Sequence, residues 1–400
     1  MATFTPRTAS SESLAEKLPF VPRMRRSGSQ SDLVRCQAGV HVSSLPDTTP
    51  VLRSSVSRCT APGERWKRIT RTIFEIHDTS RRDSHGCTCF FGAALTLIFE
   101  QMLNGVQLGV MLFLLAAGLT LIFGIMGVLN LAHGSLYMIG AYGAAWAAAK
   151  TGSFWLAIPA GLAAAAIAGI LIELIVIRRL YARDHLDQVL ATFGLILFFN
   201  QAVTLIFGRQ PVFVGLPSLF NGSVSILGLP YPLYRLVIIG VGLAVAIGLY
   251  LLISRTRLGM LIRAGATHRD IVRALGVDIG LLYTLIFGLG ALLAGLAGTM
   301  AGPLASVQVG MGEQILILTF VVVVISGIGS APRPLFGAPV VGITDTAVRG
   351  LAPIALRAIM PPSQADALGA GLSSISVYLL MALVLLIRPK GLFAPQGQSA

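Results

Sequence analysis

The polar residues that could take part in chemistry are few, and two of them interrupt an apolar run. Asn130 and His133 lie three residues apart within Gly-Ile-Met-Gly-Val-Leu-Asn-Leu-Ala-His-Gly, residues 124–134, and apolar sequence continues on both sides. An amide and an imidazole can both donate and accept hydrogen bonds. Because an unpaired backbone group in hydrocarbon costs several kcal/mol, such a break is tolerable only where protein or a water-filled path shields it. The break therefore predicts part of a translocation path and not a lipid-facing anchor.

The candidate path residues are those that form this break. Asn130 and His133 could either satisfy freed backbone groups or line the path, and we favour the first interpretation because buried polar groups are usually paired. Ser135 is predicted to be the N-cap of the second half of the broken helix, whose first N–H groups could also face a carboxylate in transit. The full candidate set is Gly127, Asn130, His133, Gly134 and Ser135.

The other reactive residue types argue against covalent chemistry. All four cysteines precede residue 90, and the His-x-Cys-x-Cys cluster at 85–89 lacks a second pair at the spacing of a zinc site. An intramembrane enzyme would need a nucleophile with a base, or a metal cluster. After residue 90 the histidines are only His133, His185 and His268. We predict no catalytic residue, no metal and no cofactor.

The elements that must position the break are membrane-spanning helices. The chain is 54% hydrophobic and 12% charged, with a mean hydropathy of +0.79, which is typical of a polytopic membrane protein. About 20 residues make one crossing. Candidate spans lie near 95–123, 131–149, 154–177, 189–207, 235–253, 281–302, 314–330, 336–351 and 373–388.

Charge sets the predicted orientation of these spans. Basic clusters follow the third, fifth and last spans, and the positive-inside rule places all three, together with the C-terminus, in the cytoplasm. These basic loops do not indicate nucleic-acid binding. The predicted fold is an all-α polytopic membrane protein with nine transmembrane helices, or eight if the broken segment near 124–140 is re-entrant.

The first 92 residues differ from the rest in composition. They are rich in Ser, Thr, Arg and Pro and follow neither helical nor strand periodicity, so we predict a disordered basic tail. No apolar core of a signal peptide follows its basic positions. An alternative is that translation begins near Met102 and the tail is not made. The transmembrane domain is predicted to span 93–395, and 396–400 form a short C-terminal tail.

A long polar segment, 254–278, separates the fifth and sixth spans. None of the four lysines lies in a Gly-x-x-x-x-Gly-Lys-Ser/Thr loop, so any ATP must be bound by another subunit. The middle of this basic segment can form a short helix that ends at Gly276, and an ATPase subunit could bind this helix. The alternative is an ordinary solvated loop near the lipid headgroups. Candidate coupling residues are Arg263, Ala264, His268, Arg269, Asp270, Ala274 and Gly276.

Two acidic residues inside predicted spans have basic neighbours at short spacing. Glu173 precedes Arg178 and Arg179, and Asp345 lies four residues before Arg349. Unpaired charge within a membrane is costly, and residues four apart share a helix face. Both are predicted to be structural ion pairs.

Several of these segments together resemble one known family. Gly-Leu-Thr-Leu-Ile-Phe-Gly-Ile-Met-Gly-Val-Leu-Asn-Leu-Ala-His-Gly, residues 118–134, resembles the signature of branched-chain amino acid ABC transporter permeases of the LivH type. The blocks at 183–199, 263–277, 326–330 and 388–393 are similar to later parts of the same pattern, in the same order. The resemblance covers about residues 100–395; the N-terminal tail has no counterpart in it.

This resemblance implies a membrane subunit of a bacterial inner-membrane importer. Expected partners are a second permease subunit, two cytoplasmic ATP-binding subunits, a periplasmic substrate-binding protein, membrane lipid and a small amino-acid substrate. Where the family often has two glycines before its Gly-Ser turn, this chain has Ser326-Gly327, which leaves the substrate open. Alternatives are a permease for urea or short amides, and a secondary transporter coupled to an ion gradient, which would need unpaired charged residues near the midplane.

Overall fold

The described part of the chain is mainly helical. In the computed structural model the described residues are 86–392, apart from 182, 227, 228, 268, 328–332 and 390. All of them belong to one compact unit, Asp83–Ala400. Most of the predicted disordered tail and the predicted C-terminal tail at 396–400 lie outside the described residues.

Each of the nine predicted spans corresponds to a helix. The helices are α1 Gly86–Met126, α2 His133–Thr151, α3 Phe154–Ile172, α4 His185–Phe207, α5 Leu233–Arg255, α6 Arg257–Thr267, α7 Arg269–Ala274, α8 Ile279–Ala301, α9 Met311–Ser326, α10 Pro334–Leu356 and α11 Pro362–Ile387. After α3 the chain continues through a π-helical turn, Glu173–Ile177, and a short helix, Arg178–Leu180. A 3₁₀ turn covers Ser218–Phe220.

The first helix begins earlier than predicted. Because α1 starts at Gly86, the last residues assigned to the disordered tail, 86–92, are helical. No proline interrupts the sequence from Gly86 to Met126. Once an apolar helix is nucleated, extending it costs little, so the composition change near residue 92 is a poor marker of its start.

Six helices in the described part of the chain are long and apolar enough to cross a membrane. They are Thr96–Met126, Phe154–Leu180, His185–Phe207, Leu233–Arg255, Ile279–Ala301 and Pro362–Ile387, and α9 is a shorter apolar helix. α2 and α10 fall outside this set: α2 is rich in Gly and Ala and carries Lys150, and α10 carries prolines and an ion pair. The chain is a multi-pass membrane protein, and the count of eight or nine spans stays a prediction.

The fold also contains a small β-hairpin that the all-α prediction missed. Strands β1 Ser223–Ile226 and β2 Leu229–Pro232 pair antiparallel between α4 and α5, with Ile226 opposite Leu229. The alternating Ser-Val-Ser-Ile sequence before a glycine was the available signal. The tertiary setting that stabilises so short a hairpin was not visible in that pattern.

Helix α8 lies in the core and packs against α1, α2 and α3. Glycines let the backbones approach: a Cβ built on Gly118 of α1 would lie 2.8 Å from the carbonyl oxygen of Gly290 in α8. Gly295 of α8 faces Gly140 of α2 in the same way. The helices on either side of the break are therefore both held against α8.

Candidate functional site

The predicted break is present between α1 and α2. α1 ends at Met126, and Gly127 follows in the left-handed region with φ 67°, where its N–H donates to the Phe123 carbonyl oxygen at 2.9 Å. A residue with a Cβ rarely adopts this conformation. The chain turns again at Asn130, whose carbonyl accepts from the His133 N–H at 3.3 Å, and α2 begins at His133.

Protein covers the polar side chains of the break. The side chains of Asn130 and His133 are both 0% exposed, and Val128 and Ser135 are also buried. This agrees with the requirement that non-helical backbone at membrane depth be covered by protein or border a path. In this structure the covering is protein.

The two polar side chains at the break lack well-formed hydrogen bonds. The Asn130 Oδ1 and Nδ2 atoms and the His133 Nδ1 and Nε2 atoms are buried and make no hydrogen bond of normal geometry to the described residues, and the Leu115 backbone approaches the imidazole as a weak partner. The interpretation that these side chains satisfy freed backbone groups stays a prediction. Buried polar atoms without partners are rare and need an explanation.

The imidazole of His133 lies where α1 and α8 cross. A Cβ built on Gly118 would be 3.0 Å from His133 Nε2 and 2.8 Å from the Gly290 carbonyl oxygen. Glycine at 118 thus leaves the space that the ring occupies, and glycine at 290 allows the two helices to approach there. Any change in the α1–α8 crossing would change the surroundings of His133.

The two other candidates at the break have structural positions. Gly134 packs directly on Gly312 at the start of α9: a Cβ on Gly134 would clash with the Gly312 carbonyl oxygen. The N-cap prediction for Ser135 is wrong, because α2 begins two residues earlier with Ala132 as its N-cap. The turn at Asn130 leads straight into the helix, so Ser135 lies inside the first turn, and its N–H donates to the Ala132 carbonyl at 3.0 Å.

The polar segment between α5 and α8 forms two short helices, α6 and α7. Gly276 follows α7 with φ 84°, so the predicted helix end at this glycine is confirmed. Arg263 and Ala264 lie on α6; Arg269, Asp270 and Ala274 lie on α7; His268 lies outside the described residues. The segment contacts α1, α5 and α8.

This segment is amphipathic and exposes apolar as well as basic side chains. Ile262 and Val272 are buried, whereas Ile271 is 57% and Leu275 is 77% exposed. The Leu275 N–H donates to the Ile271 carbonyl at 3.1 Å, so these two side chains share one helix face. The exposed arginines of the whole segment are Arg255, Arg257, Arg263 and Arg273, of which Arg273 lies on α7 itself.

Comparison with known proteins identifies the family. Residues 101–387 match the family model described as branched-chain amino acid transport system / permease component. The match covers well over half of the chain. The chain belongs to this permease family.

Individual relatives of the permease support the same assignment. It is 30% identical over 308 residues to the high-affinity branched-chain amino acid transport system permease protein BraD of Pseudomonas aeruginosa, covering 73% of this chain and 94% of BraD. It is 31% identical over 261 residues to the permease protein LivH of Escherichia coli, covering 62% and 84%. A probable LivH of Methanocaldococcus jannaschii is 28% identical over 249 residues, covering 60% and 77%. The resemblance to LivH-type permeases is confirmed.

Both predicted ion pairs are present in the permease. Glu173, 0% exposed in the π-helical turn, pairs with Arg178 at 3.3 Å, and Asp345 pairs with Arg349 at 3.1 Å. Glu173 has two further partners that the sequence did not indicate: the Thr284 hydroxyl of α8 donates at 2.7 Å and the Tyr181 hydroxyl donates at 2.8 Å. Thr284 is 111 residues away, so no local pattern could have indicated it.

A second missed contact fixes the hairpin of the permease to α1. The buried Tyr231 hydroxyl donates to Asn104 Oδ1 at 3.2 Å, and the Arg235 guanidinium donates to the same oxygen. Burial raises the pKa of Tyr231, which keeps the hydroxyl protonated and able to donate. The hairpin is thereby held at the α1–α5 junction.

The corner between α5 and α6 gives a first testable prediction. A Cβ on Gly259 would overlap the carbonyl oxygens of Leu252 and Ile253, whereas a Cβ on Gly265 of the same helix would meet only Leu282 Cδ2, at 3.4 Å. We expect Gly259→Ala to lower the free energy of unfolding by about 1–3 kcal/mol. Gly265→Ala should leave it unchanged or raise it by up to about 1 kcal/mol. Thermal denaturation in detergent compares the two variants, and equal midpoints would contradict the predicted close packing.

Proposed function

We propose that the permease is a membrane subunit of an ABC importer that moves leucine, isoleucine, valine, or related small amino acids and amides, across the bacterial inner membrane. It works with a second permease subunit, two cytoplasmic ATPases and a periplasmic binding protein. The relatives are named as subunits of branched-chain amino acid transport systems, which supports this cargo class. The observation that carries the importer role is the exposed apolar face of α7 among arginines.

That face fits an ATPase better than it fits water. Exposing large apolar side chains such as Ile271 and Leu275 to water costs free energy. Burying both against a protein partner would remove that cost. The exposed arginines of the segment support a cytoplasmic position by the positive-inside rule, and ATP is available on that side. A purely solvated loop would not need this face.

The segment is connected to the break through α8. Asp278 is the N-cap of α8, and its carboxylate accepts from the N–H groups of Gly280 at 2.8 Å and Leu281 at 3.3 Å. This cap joins α7 to α8 by a short, ordered connection. Because Gly290 of α8 meets Gly118 of α1 beside His133, a rotation of α6 and α7 would alter the crossing that encloses the break.

Asn130 and His133 then line the path when the crossing opens. Their polar atoms have no partners in the closed arrangement described here. An amino acid presents an ammonium group, which donates hydrogen bonds, and a carboxylate, which accepts them, and an amide and an imidazole can pair with both. Gly127 provides the left-handed backbone conformation that ends α1, and Gly134 allows the close packing of α2 on α9.

The orientation follows from the same proposal. With α6 and α7 cytoplasmic, the C-terminus is cytoplasmic and the β-hairpin lies on the opposite side, where a binding protein would dock. An ion-gradient transporter has no comparable support in the described membrane helices. There Glu173 and Asp345 pair with arginines, and Glu313 accepts from Asn200.

Affinity purification from the native membrane tests the proposal. We expect the full chain to recover Walker A ATPases and a second permease. Ile271→Glu with Arg273→Glu should reduce ATPase recovery by about tenfold or more, as expected for an apolar anchor, while the second permease is retained. Arg209→Glu, which reverses an exposed arginine on the opposite side, is the control. A chain that purifies alone and moves substrate into vesicles without ATP would exclude the importer.

A further inference from the structure

An apolar slot of about 550 Å³ lies between α1, α5 and α10, away from the break, and shares only Arg263 with the helices α6 and α7 described above. Several of its wall residues face outward: Leu243, Ile247, Tyr250 and Phe336 are all exposed. In a multi-pass membrane protein an outward apolar wall on these helices borders lipid. The lining is Phe113, Leu243, Ala246, Ile247, Leu249, Tyr250, Ile253, Ser254, Arg263, Leu335 and Phe336.

The slot has a defined direction and length. Its α5 wall extends from Leu243 to Ser254, which at 1.5 Å per residue is about 16 Å. This is close to half of a hydrocarbon core of about 30 Å. The slot therefore extends from the α6 end of α5 to about the middle of the bilayer, which is the depth of one leaflet.

The end of the slot at α6 is polar and basic. Arg263 lines this end, and its guanidinium donates to the Ile253 carbonyl, which fixes its position beside the slot. The Ser254 Oγ is buried there and makes no hydrogen bond. A guanidinium has five N–H donors and suits phosphate. A positive charge and an unpartnered hydroxyl at the mouth of an apolar slot are complementary to an anionic headgroup above a hydrocarbon chain.

We propose that this slot binds one anionic phospholipid of the cytoplasmic leaflet, with an acyl chain between α1, α5 and α10 and its phosphate at Arg263 and Ser254. A transmembrane helix is a poorer fit, because its apolar side chains would bring no anionic group to Arg263, whereas a phospholipid supplies both an acyl chain for the slot and a phosphate for the guanidinium. The choice of leaflet rests on the orientation proposed above, whereas binding of an anionic lipid in the slot can be tested independently of the importer role.

Native mass spectrometry of the full-length permease tests this assignment. The protein is purified with whatever subunits accompany it and equilibrated with phosphatidylglycerol or phosphatidylcholine of identical acyl chains. We expect preferential retention of phosphatidylglycerol. Arg263→Gln should reduce that retention about fivefold, the usual weight of one basic residue near an anionic leaflet. Arg273→Gln, which removes an exposed arginine of the same segment outside the slot, should not.

A second variant tests the acyl-chain part of the slot. Leu243→Trp adds bulk at a half-exposed position of the wall and should reduce retention of both lipids without unfolding the protein. Equal retention of the two lipids, or an Arg263→Gln protein that keeps phosphatidylglycerol unchanged, would overturn the proposal. So would loss of the lipid whenever a second permease subunit is bound, since that subunit would then be the occupant.

Discussion

Leucine in place of Asn130 or His133 should stop most transport while making the protein more stable. Each native side chain holds buried polar atoms without partners, and such atoms cost about 1–3 kcal/mol. Leucine is close in size to both and needs no hydrogen bond, so we expect the free energy of unfolding to rise by about 1 kcal/mol or more. If these groups bind cargo in the open state, losing one hydrogen bond to a charged group should lower uptake about 10- to 100-fold.

The two readouts are the thermal denaturation midpoint in detergent and ATP-dependent uptake of labelled leucine by vesicles with the assembled transporter. Tyr142→Phe is the matched control, because the Tyr142 hydroxyl is also buried without a partner but lies further along α2. It should gain stability and keep transport. A fall in stability for Asn130→Leu or His133→Leu would mean that these groups satisfy a buried water, and unchanged uptake would remove them from the path.

Most of the fold could be predicted from the distribution of apolar residues. Each of the nine predicted apolar segments corresponds to a helix in the described part of the chain, because a segment in hydrocarbon must satisfy its own backbone. Gly276 marked the end of α7 because a left-handed residue after a helix is usually glycine. The hairpin and the early start of α1 were missed, since hairpin packing and helix propagation depend on neighbours that the local pattern does not contain.

The candidate site was only partly predictable. Glycines and two polar residues inside an apolar run were enough to locate the break and its shielding. The hydrogen bonding of Asn130 and His133 could not be predicted from the sequence. Whether a buried amide or imidazole has a partner depends on how α1 and α8 cross at Gly118 and Gly290. The contact that Glu173 makes between α3 and α8 could not be predicted either, because its partner Thr284 is distant in sequence.

Gly134 shows the same limit and gives the second large prediction. Its importance comes from Gly312, where the backbones of α2 and α9 touch: a Cβ on either glycine would clash with the carbonyl oxygen of the other. Gly134→Ala must push α9 away from the break. We expect the free energy of unfolding to fall by about 3 kcal/mol, because no flexible side chain is available to move aside. The denaturation midpoint and the yield of monodisperse protein measure this loss.

A matched glycine ten residues earlier separates packing from a general effect of alanine in this motif. A Cβ built on Gly124, in the last turn of α1, has no atom within 4 Å. Gly124→Ala should therefore gain up to about 1 kcal/mol from its higher helix propensity. Gly312→Ala should reproduce the loss seen with Gly134→Ala, since it affects the same contact from the other helix. If Gly134→Ala and Gly124→Ala instead shift the midpoint equally, the α2–α9 contact does not hold the break closed, and Gly134 must act in another way.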